Sequence, residues 1–407
     1  MKFLILLLLI GYVTSTPVRY DNYTVYRVIP RNIRQLNLLR KYEETNVFDF
    51  WSDVTRINAN IDIMVGPKEL RHFEKLTNVV NLESRVMIPN VQDLINHEQK
   101  REPTSHRFNW KEYHRLDNIN AWLDSLEAQH PDKVKVIIGG KSYENREIRG
   151  VYVNFNSNNK AIFLEGGIHA REWIAPATVT FILNELLTNT DPEVRKIVES
   201  RNWYLFPSVN PDGYEYAHVT DRMWRKTRKP YGVCVGADPN RNWGYKWNHG
   251  GASSNPCSET YAGDKPFSEI ETQTLSEYLN QIITELDIYL SIHSYSQLLM
   301  TPFGHEGFEK PENHEQMIRI ATEAAKKLKE RYGTEYEVGN VAEILYITSG
   351  GSRDWMAGVH RVKLVYTYEL RDTGKYGFIL PQEQIIPTGL ETFDSILELI
   401  RIYDAEQ

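Results

Sequence analysis

The strongest constraint in this chain is the alternation of strand-like and helix-like segments from about residue 102 to the C-terminus. KVKVIIGG, EIRGVYVNF, AIFLEGGIH, NWYLFPSVN, DIYLSIHS and KLVYTYEL are apolar, β-branched or aromatic runs of strand length. Between them lie helical patterns: Ala175–Asn189, DPEVRKIVES, SEIETQTLSEYLNQIITEL, HEQMIRIATEAAKKLKERYG and PTGLETFDSILELIRIY. Asp191 followed by Pro192 marks one helix start, and Ser268 with Glu271 predicts a capping box at another. Strands interleaved with helices over some 300 residues predict one α/β domain: a mixed, mostly parallel twisted sheet with helices on both faces.

A second unit precedes it. Residues 16–101 read strand, helix, two strands, helix, strand: Tyr23–Pro30, Arg31–Glu44, VFDFW, IDIMV, Lys68–Leu76 and SRVMIP. That βαββαβ order predicts a small open sandwich. A charged connecting helix, Val91–Arg101, follows and ends in the dibasic pair Lys100-Arg101, a natural proteolytic nick point between two self-contained patterns. At the start of the chain, Lys2 precedes FLILLLLI and then GYVTS. This is the layout of a secretory signal, with cleavage near Ser15, and it is too short for a membrane span. The expected division is therefore 1–15 signal, 16–101 pro-segment and 102–407 main domain, in a secreted, extracellular protein.

Charge narrows the partners. The chain carries a formal −7, which argues against general nucleic-acid binding. Residues 16–101 hold 13 Lys/Arg against 11 Asp/Glu, a charge of +2, so with Lys2 set aside the main domain holds 33 basic and 43 acidic residues, or −10. A slightly basic segment on an acidic body predicts weak mutual attraction. Two cysteines allow at most one disulfide.

Ligands of open α/β sheets bind at the carboxyl ends of strands. AIFLEGG runs into His169 and Glu172, DIYLSI into His293, and KLVYTY into Glu369. Two histidines and a glutamate are a known catalytic zinc set, and a second glutamate would then be free as general base. Alone, each histidine is more often a hydrogen-bonded core or rim residue; their joint placement at strand ends is what points to a metal.

GGIHAREW (Gly166–Trp173), RMWRKTR (Arg222–Arg228), GADPNRNW (Gly236–Trp243), SIHSYSQ (Ser291–Gln297), YITSGGSRDW (Tyr346–Trp355) and YELRDTGKYGFILP (Tyr368–Pro381) resemble the secreted zinc metallocarboxypeptidases of the pancreatic A/B type. The resemblance runs in register from about Asn109 to the C-terminus, and the N-terminal unit resembles that family's activation segment. It implies a secreted zymogen of a Zn2+-dependent exopeptidase with one zinc per catalytic domain. His169, Glu172 and His293 would be the metal ligands and Asp238 the carboxylate that orients His169. Glu369 would activate the zinc-bound water, and Arg225 would stabilise the oxyanion. Asn240 and Arg241 would clamp the substrate's terminal carboxylate, with Tyr346 closing over it and Arg171 and Tyr295 serving neighbouring subsites. The resemblance pairs Cys234 with Cys257, a loop closure that contributes roughly 3 kcal/mol. It implies peptide and protein C-termini as substrates, a trypsin-like activating protease cutting at Lys100-Arg101, and a monomer without nucleic-acid or membrane partners. The N-glycosylation sequon Asn22-Tyr23-Thr24 lies in the pro-segment.

At the residue after Gly-Gly-Ser the chain leaves both common branches. A-type enzymes carry an apolar residue there and B-type enzymes an aspartate; this chain carries Arg353, as in the rarer O-type enzymes. A buried guanidinium needs a counter-ion, which a C-terminal Glu or Asp supplies. Val341, Leu345 and Met300 match apolar walls of the same pocket. The alternative is an Arg353 neutralised by an acidic neighbour, leaving A-type preference for aromatic and aliphatic residues. A catalytically silent peptide-binding relative would lack a zinc ligand or the general base, and this chain keeps all four. A zinc aminopeptidase or amidase would have no use for the Asn240-Arg241 clamp.

Overall fold

A computed structural model describes residues 16–45, 47–99 and 108–407. The expected signal (1–15) and the Lys100-Arg101 nick point lie outside the described residues.

The N-terminal unit has the expected order. It runs β1 (Thr24–Ile29), α1 (Ile33–Glu43), β2 (Asp49–Phe50), β3 (Ile61–Val65), α2 (Leu70–Val80), β4 (Glu83–Ile88) and the connecting helix α3 (Val91–Glu98). The strands form an antiparallel sheet in the order β2-β3-β1-β4. Helix α1 starts where Asn32 accepts a hydrogen bond from the Gln35 backbone N–H. Val28, Leu36, Ile63 and Phe73 fill the space between sheet and helices.

The main domain continues through α4 (Leu116–Gln129), β5 (Val134–Lys141), β6 (Glu147–Val153), β7 (Ala161–Gly166), α5 (Ile174–Thr188), α6 (Pro192–Val198), β8 (Asn202–Phe206) and α7 (Pro211–Val219). A two-strand hairpin, β9 (Pro230–Tyr231) and β10 (Cys234–Val235), comes next. The chain closes with α8 (Ile270–Ile282), β11 (Leu286–Ser294), β12 (Leu298–Thr301), α9 (His314–Tyr332), β13 (Glu337–Asn340), α10 (Val341–Ile344), α11 (Ser352–Gly358), β14 (Leu364–Leu370) and α12 (Ile385–Ala405). Eight strands make one mixed sheet in the order β13-β12-β14-β11-β7-β8-β6-β5. Its centre, β14-β11-β7-β8, is parallel. One face packs against α4, α5, α9 and α12, and the other against α8 and α11. Strand β11 is buried along its whole length, which is why it reads as an unbroken apolar run rather than an alternating one. The edge strand β13 and its neighbour β12 were not among the sequence expectations: each is only four residues long, too short for a periodic signal.

The helix starts test the local chemistry. Asp191 caps α6 by accepting from the N–H groups of Glu193 and Val194, with Pro192 in the first turn, as expected. The Ser268–Glu271 capping box does not form. Helix α8 is preceded by Glu269, which makes no side-chain cap, and Ser268 Oγ instead takes the Asn242 amide. Glu271 accepts from the Tyr143 backbone N–H, and burial pushes its carboxyl up to about 8. Tertiary partners have outcompeted the local motif. Cys234 and Cys257 form the expected disulfide, with Cα atoms 5.1 Å apart. No helix among the described residues is long and apolar enough to cross a membrane.

Candidate active site

Three parallel strands end side by side, and their last residues face one another. His293 is paired in register with Glu369, and Ile292 with both Tyr368 and Gly166. Strand β7 stops at Gly166, three residues short of His169. Gly167 (φ 65°) turns the chain out of the sheet in a left-handed conformation, and a Cβ there would come within 3.0 Å of Pro207 O. His169 and Glu172 then lie on the turn that leads into α5.

Nitrogen and oxygen atoms converge at this point. His169 Nδ1 is 2.7 Å from Glu172 Oε1 and 3.2 Å from His293 Nδ1. His293 Nδ1 is 3.0 Å from Glu172 Oε2. Donor atoms of all three residues lie within 4.8 Å of one another, and all three side chains are buried. Two imidazole nitrogens and a carboxylate gathered away from water need a cation between them, and two nitrogens with one oxygen are a zinc donor set that leaves a fourth position open. The far side of His169 supports this: Nε2 lies 3.1 Å from Asp238 Oδ1, so that nitrogen carries the hydrogen and Nδ1 presents its lone pair to the site.

Asp238, fully buried, organises more than one group. Its Oδ1 also accepts from the Asn240 backbone N–H (2.8 Å). Its Oδ2 accepts from Arg225 Nη2 (2.7 Å) and Nε (3.2 Å). Arg225 is therefore buried and bound to Asp238 beside the cluster, although basic runs such as RMWRKTR are commonly solvated. Burial opposes the ionised form of Asp238, yet Arg225, Arg241 and His169 hold its carboxyl well below the ordinary range. For Glu172, too, the two histidines outweigh burial and keep it low. Glu369 goes the other way: burial and the nearby Glu172 push its carboxyl up to about 8, against the pull of His293, Arg225 and Arg353.

Beyond the metal-type cluster lie the carboxylate-binding candidates. Asn240 Nδ2 is 3.3 Å from His293 Nε2, and Asn240 Oδ1 accepts from Ser352 N (3.1 Å). Arg241 is held by Gly251 O (2.8 Å) and Asn240 O (3.2 Å). The Gly-Gly pair before Ser352 lets this loop pass close: a Cβ on Gly350 (φ 70°) would fall 2.3 Å from Arg241 O. Tyr346 follows α10 in a loop, with its ring 5.8 Å from the Arg241 guanidinium. Arg353 sits in the first turn of α11, buried; Nε donates to Asp354 Oδ1 (2.9 Å) and Nη1 to Thr367 Oγ1 (3.3 Å). The acidic neighbour of the alternative reading is thus present. Met300 and Val341 pack together in a small apolar cluster against which Leu345 rests.

The partners of the candidate recognition residues were not foreseen. The pro-segment sheet covers the strand ends, and its carboxylates reach into the site. Arg241 Nη2 donates to Asp53 Oδ2 (3.3 Å), and Arg171 Nη1 lies 3.5 Å from Asp49 Oδ1 with its guanidinium stacked 4.2 Å over Phe378. Tyr295 OH donates to Asp62 Oδ2 (2.7 Å), which also receives a two-pronged bond from Arg27 (2.6 and 2.7 Å). At the end of α3, Glu98 takes two bonds from Arg222 (2.6 and 2.8 Å). The expected attraction of a basic segment for an acidic body is reversed locally: acids of the pro-segment meet arginines of the body. The one sequence signal was Asp62, a charge inside the apolar strand IDIMV.

Comparison with known proteins agrees with this geometry. A family model for zinc carboxypeptidase matches residues 119–395, and one for the carboxypeptidase activation peptide matches residues 26–98. Zinc carboxypeptidase A 1 of Anopheles gambiae is 44% identical, the match covering 94% of this chain and 90% of that protein. Carboxypeptidase B of Astacus astacus is 46% identical over 70% of this chain and 95% of its own. A crystal structure of thrombin activatable fibrinolysis inhibitor superposes with a TM-score of 0.88 at 31% identity, covering 94% of this chain and 99% of that one. The chain therefore belongs to the zinc carboxypeptidase family, hydrolases with Zn2+ as cofactor, and carries the activation peptide of a zymogen.

Proposed function

We propose that this protein is a secreted zymogen, divided as 1–15 signal, 16–101 pro-segment and 102–407 enzyme. A trypsin-like protease activates it at Lys100-Arg101, and the monomeric product removes C-terminal Glu or Asp from peptides and proteins. The preference rests on one observation above all: a buried Arg353 guanidinium close enough to Glu369 to pull on its ionisation.

His169, Glu172 and His293 would hold the zinc, which when bound supplies Lewis acidity at the scissile carbonyl. The chain's own residues do the rest. Glu369, facing His293 across the β11–β14 pair, takes a proton from the attacking water and passes it to the nitrogen of the leaving amino acid as the C–N bond breaks. Its elevated ionisation range suits an acid–base group that must both accept and return a proton. Arg225, already oriented by Asp238, faces the charge that develops on the carbonyl oxygen. Asn240 and Arg241 bind the substrate's terminal carboxylate, Tyr346 closes over it, and Arg171 and Tyr295 contact residues further along the peptide. Asp354 and Thr367 occupy Nε and Nη1 of Arg353, which fixes the plane of the guanidinium while its second terminal nitrogen lies beside Gly304. The apolar walls then take the methylene stem of a glutamate.

A peptide panel ending in Glu, Phe and Arg, given to the trypsin-treated protein, tests the reading. Glu should be released at least about tenfold faster by kcat/KM, the scale of one well-made charged contact. A clear preference for Phe would favour the A-type alternative, in which Asp354 neutralises Arg353. Arg353→Asp should move the preference toward Lys and Arg. Full activity of the uncut chain would remove the zymogen assignment.

A further inference from the structure

One buried charge beneath the site has no part in the chemistry above. Glu165, near the end of β7, is 1% exposed. Its Oε1 receives three hydroxyls: Ser291 Oγ at 2.5 Å, Tyr289 OH at 3.2 Å and Ser352 Oγ at 3.5 Å. Its Oε2 has no hydrogen-bond partner among the described residues. A half-satisfied buried carboxyl is costly, and a well-packed apolar residue would cost less. Groups that break a local rule in this way concentrate where function demands them.

The contacts show what this carboxyl joins. Ser291 and Tyr289 belong to β11, the strand that carries His293, with Ser291 paired in register with Glu165. Ser352 opens α11, and its backbone N–H is bound by Asn240 Oδ1, whose amide nitrogen faces His293. Tyr289 is itself immobilised, fully buried and stacked on Phe163 at 5.7 Å. A chain of contacts therefore runs from Glu165 through Ser352 to the carboxamide of Asn240.

We propose that Glu165 is a positioning residue that sets the first turn of α11 against β11 and so holds Asn240 in place for the substrate's terminal carboxylate. The inference rests on the reading of Asn240 as part of the carboxylate clamp. Because the network ends at a binding group and not at Glu369, its loss should act on KM rather than on kcat.

The test uses the zinc-loaded, trypsin-activated enzyme and its best peptide. Glu165→Ala should raise KM about fivefold to tenfold, the scale of one or two lost hydrogen bonds, with kcat changed less than about twofold and one zinc retained per chain. Glu165→Gln, which keeps an acceptor oxygen, should restore KM to within about twofold of the parent. An unchanged KM in Glu165→Ala, a fall in kcat alone, loss of zinc, or a Glu165→Gln variant as impaired as the alanine variant would each overturn the proposal. Should Glu165→Ala not fold, Ser352→Ala keeps the backbone N–H that binds Asn240 and removes the hydroxyl link to Glu165; it should raise KM about twofold to fivefold, and a normal KM would overturn the proposal. Asn240→Ala, run in parallel, separates the two readings. If it leaves KM unchanged, the clamp reading fails. If it raises KM while Glu165→Ala does not, only the role of Glu165 fails.

Discussion

The centre of the site and its rim satisfy their charges in opposite ways. At the centre, His169, Glu172, His293 and Arg225 find their partners inside the main domain, with Asp238 serving both His169 and Arg225. At the rim, Arg171, Arg222, Arg241 and Tyr295 are paired with Asp49, Glu98, Asp53 and Asp62 of the pro-segment. The proposed chemical groups are therefore partnered within the main domain, while the proposed recognition groups take carboxylates of the pro-segment as partners. Removing the pro-segment leaves a row of cations and a tyrosine hydroxyl facing the space where a peptide must enter. On the proposed reading, latency is a matter of occupancy at the rim, not of disorder at the centre.

That contrast can be broken at several points. Glu369→Gln should lower kcat of the activated enzyme about 10³-fold, the scale of lost general acid–base catalysis, and leave latency of the uncut chain untouched. A change in latency would show that centre and rim are not separate. Glu98→Ala leaves Arg222 buried and unpaired over the Trp173 ring, at about 3 kcal/mol. The uncut chain should then leak activity about 100-fold above the parent, read with a small peptide substrate. The proposed metal centre should respond to pH. Glu172 pushes the His293 imidazole up to about 9 against the effect of burial, so below that pH a proton competes with the cation. Apparent zinc affinity, measured by chelator competition, should fall by up to about tenfold per unit as pH drops below 9. Asp53→Asn weakens one partly exposed contact with Arg241 and should raise leak activity about fivefold, roughly 1 kcal/mol. The smallest effect concerns Glu43, which accepts from Val54 N (2.9 Å) and which burial, followed by the nearby Asp53, pushes up to about 8 from an ordinary 4.5. A carboxyl raised in the folded pro-segment stabilises that fold fully below pH 4.5 and loses the contribution as pH rises through 8. The unfolding temperature of the pro-segment in the uncut chain should therefore fall across that window and stay flat in Glu43→Gln.

The centre was legible in the sequence because its residues sit at the ends of strands, and parallel strands must bring those ends together. His169 and Glu172 are three residues apart, and His293 and Glu369 each terminate an apolar run, so pattern and chemistry spoke together. The rim was not legible for the opposite reason. Asp53 and Arg241 are 188 positions apart in sequence, on separate units, and nothing in either neighbourhood announces the other. Overall charge did not help, because a +2 segment and a −10 body say nothing about which faces meet. Local rules failed where tertiary partners were stronger: Ser268 and Glu271 have a capping-box spacing, yet Asn242 and the Tyr143 backbone claim them. Arg353 shows the middle case, where the residue was visible but its tether to Asp354 and Thr367 was not.

By itself, the sequence carried the two-unit architecture and placed the candidate donor set at strand ends, since each follows from periodicity or from motifs that are local in the chain; the disulfide pairing came with the family resemblance. Only the tertiary structure decided which carboxylates cover Arg171, Arg222 and Arg241, how Asp238 is shared between a histidine and an arginine, and which hydroxyls gather on Glu165. Those are contacts between distant segments, and their geometry exists only once the sheet has closed.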